Sequence, residues 1–130
     1  MQNFTSWPER TVYELGLSFP GTGVQRELLW QNEAPGSSFA AQTVSVKNLS
    51  LYQFYCVVFL RVAGNNQQHH VFTSVGRGSE CVGQTSYSDL MVREFSSDQN
   101  AETVTFSTCH NGPSTVREDL LVPYQIWGIS

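Results

Sequence analysis

One run constrains the fold of this chain more than any other: residues 52–62, Tyr-Gln-Phe-Tyr-Cys-Val-Val-Phe-Leu-Arg-Val. Side chains of a β-strand alternate between its two faces. Tyr52, Phe54, Cys56, Val58, Leu60 and Val62 then share one face, and Tyr55, Val57 and Phe59 give the other an apolar middle. A strand that is apolar on both faces needs cover on both, inside a sandwich or at an interface between subunits.

The rest of the chain fits a β protein. Short β-like runs at 26–30, 39–46, 69–75, 89–95, 102–108 and 120–129 are separated by clusters of Gly, Asn, Pro and Ser. Within 39–46 the alternation slips between Ala41 and Val44, which predicts a β-bulge. Residues 31–36, 64–68 and 96–100 read as loops. Gly76-Arg77-Gly78-Ser79 reads as a turn with its glycines at positive φ. No window of about 11 residues sustains a 3.6-residue apolar period, so helix is expected to be nearly absent. Residues 1–25 read as an irregular N-terminal arm with a short strand around 12–17. Seven or eight strands over 26–130 predict an all-β domain, a β-sandwich of jelly-roll-like type. A chain of 130 residues fits one such domain.

Only 14% of residues are charged, against about 25% in an average soluble protein. Polarity comes instead from 15 Ser, 10 Thr, 10 Gln and 7 Asn. The net charge is −4, and the basic residues Arg10, Arg26, Lys47, Arg61, Arg77, Arg93 and Arg117 form no stripe, which argues against nucleic-acid binding. No apolar run approaches the roughly 18 residues of a membrane-spanning helix, and no membrane insertion is expected. The first residues, Met-Gln-Asn-Phe, lack the basic and apolar regions of a signal peptide, so synthesis in a cytosol without leader cleavage is expected. Three cysteines, Cys56, Cys81 and Cys109, make an odd set read as free thiols, with a Cys81–Cys109 pair as the alternative.

Catalytic and metal signatures are missing. His69, His70, Cys81, Cys109 and His110 do not follow the short paired spacing of a zinc site, and adjacent His69 and His70 on a strand point to opposite faces. No Gly-x-Ser-x-Gly elbow accompanies the serines and Asp89, Asp98 or Asp119. Gly76-Arg77-Gly78-Ser79 lacks the lysine and helix of a phosphate loop. The expectation is a non-enzymatic protein with no cofactor and no metal.

Recognition has better candidates. Trp7, Trp30, Tyr55, Tyr87, Tyr124 and Trp127 would stack on sugar rings wherever they are exposed, although Trp30 and Trp127 sit in strand patterns that read as core or interface. The 64–70 hairpin offers Asn65, Asn66, Gln67 and Gln68, whose amides both donate and accept hydrogen bonds. The 84–88 loop adds Tyr87. These five residues are the expected ligand-binding set, since loops held by a rigid scaffold carry recognition; solvated turns are the alternative reading of both loops.

Residues 28–46 read LLWQNEAPGSSFAAQTVSV and residues 122–129 read VPYQIWGI. These segments resemble the opening and closing motifs of a C-terminal module in bacteriophage tail and minor structural, tail-fibre-like proteins, roughly LWxNPxPxSSFxAQTV and IPYxIYGIK. A YxxIxVxF strand of that module is similar to 52–60 here, and its central arginine corresponds to Arg93. The resemblance covers about 26–130. Two departures stand out: the module is almost the whole chain, and Ser130 stands where lysine is common. The resemblance implies a virion component near the tail tip, made in the host bacterial cytoplasm. Such a component would be homo-oligomeric, trimeric in the favoured form, in contact with other virion proteins, and structural or engaged with a host surface glycan. A cellular lectin-like carbohydrate-binding sandwich is the second expectation, and a small hydrolase or metal-dependent enzyme the third.

Overall fold

A computed structural model describes residues 26–62, 67–84, 90–112 and 115–130. Ten strands run through them: β1 (Arg26–Gln31), β2 (Gln42–Ser45), β3 (Phe54–Val62), β4 (Gln67–Ser74), β5 (Gly78–Gln84), β6 (Leu90–Asp98), β7 (Thr103–Phe106), β8 (His110–Asn111), β9 (Thr115–Val116) and β10 (Val122–Ile129). A single 3-10 turn, Leu49–Leu51, is the only helical element among the described residues. The expected strand at 12–17 lies outside them.

The strands form two antiparallel sheets. Sheet A has the order β1-β10-β3-β4. In sheet B, β6 is the spine: β5 pairs with one of its edges from Leu90 to Ser96, while β7 and β8 divide the other. β2 and β9 then flank β7 and β8. The protein is therefore an all-β, two-sheet sandwich. Each sheet contains a sequential hairpin, β3-β4 and β5-β6, and each also pairs an early described strand with a later one, β1 with β10 and β2 with β7.

The faces follow the alternation read from sequence. Tyr55, Val57 and Phe59 of β3 enter the core between the sheets with Ile126, Phe95, Phe106 and Val104. Rings run through it continuously: Trp30 to Phe39 at 6.3 Å, Phe39 to Phe106 at 5.4 Å, Phe106 to Phe95 at 6.1 Å, and Phe95 to Tyr55 at 5.9 Å. Several of these pairs meet edge to face, the arrangement the ring quadrupoles favour. Tyr55 also donates its hydroxyl to the Arg77 carbonyl at 2.7 Å, which removes the cost of burying that oxygen.

The other face of β3 forms a second apolar cluster outside the sandwich. Cys56, Val58 and Trp127 are buried there, packed with Tyr124 and Ile129. Around them Leu28, Phe54 and Phe72 stand 38%, 46% and 57% exposed. Registers Leu28↔Trp127, Trp127↔Cys56 and Cys56↔Phe72 place one such residue from each strand in a row across sheet A. The outer face of sheet B is mixed: Thr43, Thr103, Thr105, Ser96, Glu80 and Glu94 make much of it polar, while Val82, Val92 and Leu90 stand on it where β5 pairs with the start of β6.

Three expectations need correction. Residues 39–41 are not strand; Phe39 is buried, and its N–H donates to the Glu118 carbonyl at 2.9 Å. The slip in alternation marks a chain that crosses between layers, not a bulge. Gly76 has the expected positive φ of 90°, but Gly78 begins β5. There a side chain would collide with the backbone carbonyl of Phe95, so close strand approach is what calls for glycine. Residues 96–98 also belong to β6, so the loop to β7 is shorter than 96–100.

Candidate functional site

The two sheets are joined at one end by a pair of arginines. Arg93, in the middle of β6, is fully buried and makes no hydrogen bond to a carboxylate. A guanidinium has five N–H groups and stays charged, so burial demands acceptors. Five carbonyls supply them: Nε donates to Leu121 at 2.8 Å, Nη1 to Phe39 at 2.9 Å and Ser107 at 2.8 Å, and Nη2 to Leu120 at 3.1 Å and Glu118 at 3.4 Å. The Phe39 ring lies 5.6 Å beneath the cation. Burial pulls the Arg93 pKa down, while Cys109, Glu118 and Cys81 act in the opposite sense. The group holds the fold together and is closed to ligands.

Arg61, at the end of β3 in sheet A, grips the same two segments from outside. Its Nε donates to the Asp119 carbonyl at 2.6 Å, Nη1 to Pro35 at 2.8 Å and Nη2 to Ser37 at 3.1 Å. The residue sits at φ 55°, the left-handed region that residues other than glycine seldom adopt. β3 carries one extra residue against β4 here, since Phe59 pairs with His69 and Val62 with Gln67. This bulge turns the Arg61 side chain out of the alternation and onto the carbonyls.

Beside Arg61 lies a cleft of about 330 Å³ lined by Pro35, Leu60, Arg61, Gln68 and Tyr124. That volume is at the low end of the roughly 300–1,000 Å³ typical of small-ligand pockets. β4 brings Gln68, β10 brings Tyr124 at its own register shift after Pro123, and β3 brings Leu60 and Arg61. Asn32 fixes the Tyr124 backbone, its N–H donating to the Tyr124 carbonyl at 2.8 Å and its side-chain amide to the Pro123 carbonyl at 2.9 Å. The described lining offers a guanidinium, an amide, a phenol and apolar walls, but no carboxylate, imidazole or thiol. Its described residues can bind and orient a ligand and include no general base.

Of the expected ligand-binding residues, Gln67 and Gln68 open strand β4 instead of belonging to the 64–68 loop; Gln68 lines this cleft and Gln67 is its exposed neighbour. Asn65, Asn66 and Tyr87 lie outside the described residues. Arg61, Leu60 and Pro35 were missed by sequence reasoning; the one signal was the charge that interrupts the apolar run between Leu60 and Val62. Tyr124 was among the aromatics named.

A second concavity, about 500 Å³, is lined by Gly78, Ser79, Glu80, Glu94, Phe95 and Ser96. Glu80 and Glu94 stand directly opposite each other across β5 and β6, an arrangement of like charges that costs stability. Among the described residues no group of three or more His, Cys, Asp or Glu could hold a metal ion. All three cysteines are free and buried. Burial pushes the Cys56 and Cys81 thiols up to about 12 and raises Cys109 as well, so all three are held as unreactive thiols.

No protein-family model, curated protein or solved structure matches this chain.

Proposed function

We propose that this chain is a non-catalytic structural module of a bacteriophage virion, near the tail, that assembles as a homotrimer and engages a host surface glycan at its Arg61 end. The observation that carries the reading is the outer face of sheet A. Leu28, Phe54 and Phe72 are exposed on it around the buried Cys56, Val58 and Trp127. The described strands place no carboxylate on that face, whose other side chains include Gln125, His70 and Ser74. Monomeric proteins seldom leave a contiguous apolar face of this kind to solvent. A second copy of the same chain is the occupant that the tail-module resemblance favours. The low charge and the Ser, Thr, Gln and Asn surface suit a virion protein that folds in a cytosol without disulfides.

Light scattering on the purified chain tests the assembly. A stable trimer at micromolar concentration supports it. A monomer that still binds sugars favours the cellular lectin reading, and a monomer that binds none removes both. Binding to cells of a susceptible host, competed by their surface polysaccharide, tests the recognition part separately.

A further inference from the structure

We infer that the cleft beside Arg61 is a subsite for an acidic sugar, a pyranoside bearing a carboxylate. This rests on the glycan-engaging part of the proposed function and names the chemistry of its ligand.

Three features of the cleft converge on that class. The first is charge. Arg61 commits one N–H each from Nε, Nη1 and Nη2 to the carbonyls of Asp119, Pro35 and Ser37. Among the described residues, two of its five N–H groups, one on each terminal nitrogen, therefore remain for a ligand. The nearby Asp119 carboxylate is taken by Arg117 through a bidentate pair at 3.0 and 2.9 Å. Arg61 feels the Asp119 carboxylate electrostatically but, among the described residues, hydrogen-bonds only carbonyls, and its remaining N–H groups suit an anion with planar, two-oxygen geometry.

The second is shape and polarity. Leu60, Pro35 and the half-buried Tyr124 ring give apolar walls in the same cleft, while Gln68 brings an amide that both donates and accepts. A pyranose presents this mixture: an apolar face of C–H groups and a rim of hydroxyls.

The third is rigidity. Arg61 is held at φ 55° by three hydrogen bonds to two chain segments, and such over-determined backbone strain clusters at ligand clamps. A pre-ordered guanidinium loses little entropy on capturing a carboxylate. None of this arises at the other concavity, where Glu80 and Glu94 would repel an anion.

The test varies the charge of the ligand and leaves Arg61 intact, because this residue also supports the fold. NMR titrations of the full 130-residue chain in its native assembly compare methyl glucuronide with methyl glucoside. The glucuronide should bind at least about tenfold more tightly, the worth of one charge-assisted hydrogen bond. Its shifts should fall on the Tyr124 ring, the Gln68 amide and the Arg61 Nε–H, and the advantage should shrink with added salt. Tyr124→Ala should weaken binding of the glucuronide with the protein still folded. Equal affinity for the two sugars overturns the acidic-sugar assignment while leaving glycan engagement standing, as does glucuronide binding that maps away from these three residues. No binding of either sugar, together with no host-polysaccharide binding, overturns both readings.

Discussion

Arg61 and Arg93 reach the same turn from opposite sheets, and their hydrogen bonds to the described residues are donated only to backbone carbonyls. The four consecutive carbonyls of Glu118, Asp119, Leu120 and Leu121 all point at one or other guanidinium, and those of Pro35, Ser37 and Phe39 are shared in the same way. Two irregular segments with few partners of their own are stapled to β3 and β6. Leu121, at φ 47°, shows how tightly the turn is drawn in. The closed arginine, Arg93, sets the frame, and the half-open one, Arg61, is left facing a cleft.

Arg93→Lys and Arg93→Met should both destabilise the protein severely. Lysine offers three donors from a point charge where five carbonyls are spaced for a planar fork. Methionine leaves those carbonyls without donors in the interior. Breaking a buried, fully bonded charge costs about 3–5 kcal/mol. Denaturant melts should show a loss of this order for Met and a somewhat smaller one for Lys; a change within experimental error for Met would mean the five bonds contribute little net stability.

Gly128→Ala should cost about 1–3 kcal/mol, the usual penalty of overpacking. A Cβ there would come within 2.5 and 2.7 Å of the Tyr52 ring and 2.9 Å of Leu29. Tyr52 has little room to retreat, because its hydroxyl donates to the Glu27 carboxylate. A Tyr52→Ala background should remove most of the penalty, and a double-mutant cycle on thermal melts checks it.

How much of this was legible in the sequence differs by element. β3 was plain because its apolar alternation is long, and β10 because it is a long run rich in apolar residues. β5 was missed altogether: Gly-Ser-Glu-Cys-Val-Gly-Gln contains only Cys81 and Val82 as apolar residues, and its place comes from pairing along β6, not from propensity. Arg93 could not be read as a core residue, since a lone charge in an alternating run looks like a solvent position until the five carbonyls are assembled around it. The cleft was half visible. Gln68 was reached by the hydrogen-bonding capacity of its hairpin, but Arg61 depends on a bulge whose left-handed residue is not the glycine that would have signalled it.

The three thiols should be silent in the folded protein. With Cys56 and Cys81 pushed up to about 12 by burial and Cys109 also raised, little thiolate exists at neutral pH. A colorimetric disulfide reagent should label none of the three natively and all three in denaturant. Prompt labelling of one thiol in the native state would contradict the packing described for it.

His70 gives stability a pH dependence. Burial, and secondarily His69, lowers its pKa from the ordinary 6.5, so the folded state favours the neutral ring. That contribution is fully present above 6.5 and is lost as pH falls from there toward the folded-state value. Melting temperature should therefore decline below that point, and the decline should be smaller in His70→Gln. NMR titration of the His70 ring should give a midpoint under 6.5; a midpoint above it would reverse the sign.

The most direct test of the central claim is the mass of the native particle. The apolar outer face of sheet A, with Phe54 and Phe72 about half exposed, requires a partner surface if this is a virion module. Multi-angle light scattering at micromolar concentration should return three times the 14.6 kDa of one chain. The double variant Phe54→Glu, Phe72→Glu should shift the particle toward single chains while keeping its β-sheet circular dichroism. A wild-type mass of 14.6 kDa, unchanged at tenfold higher concentration, would contradict the account.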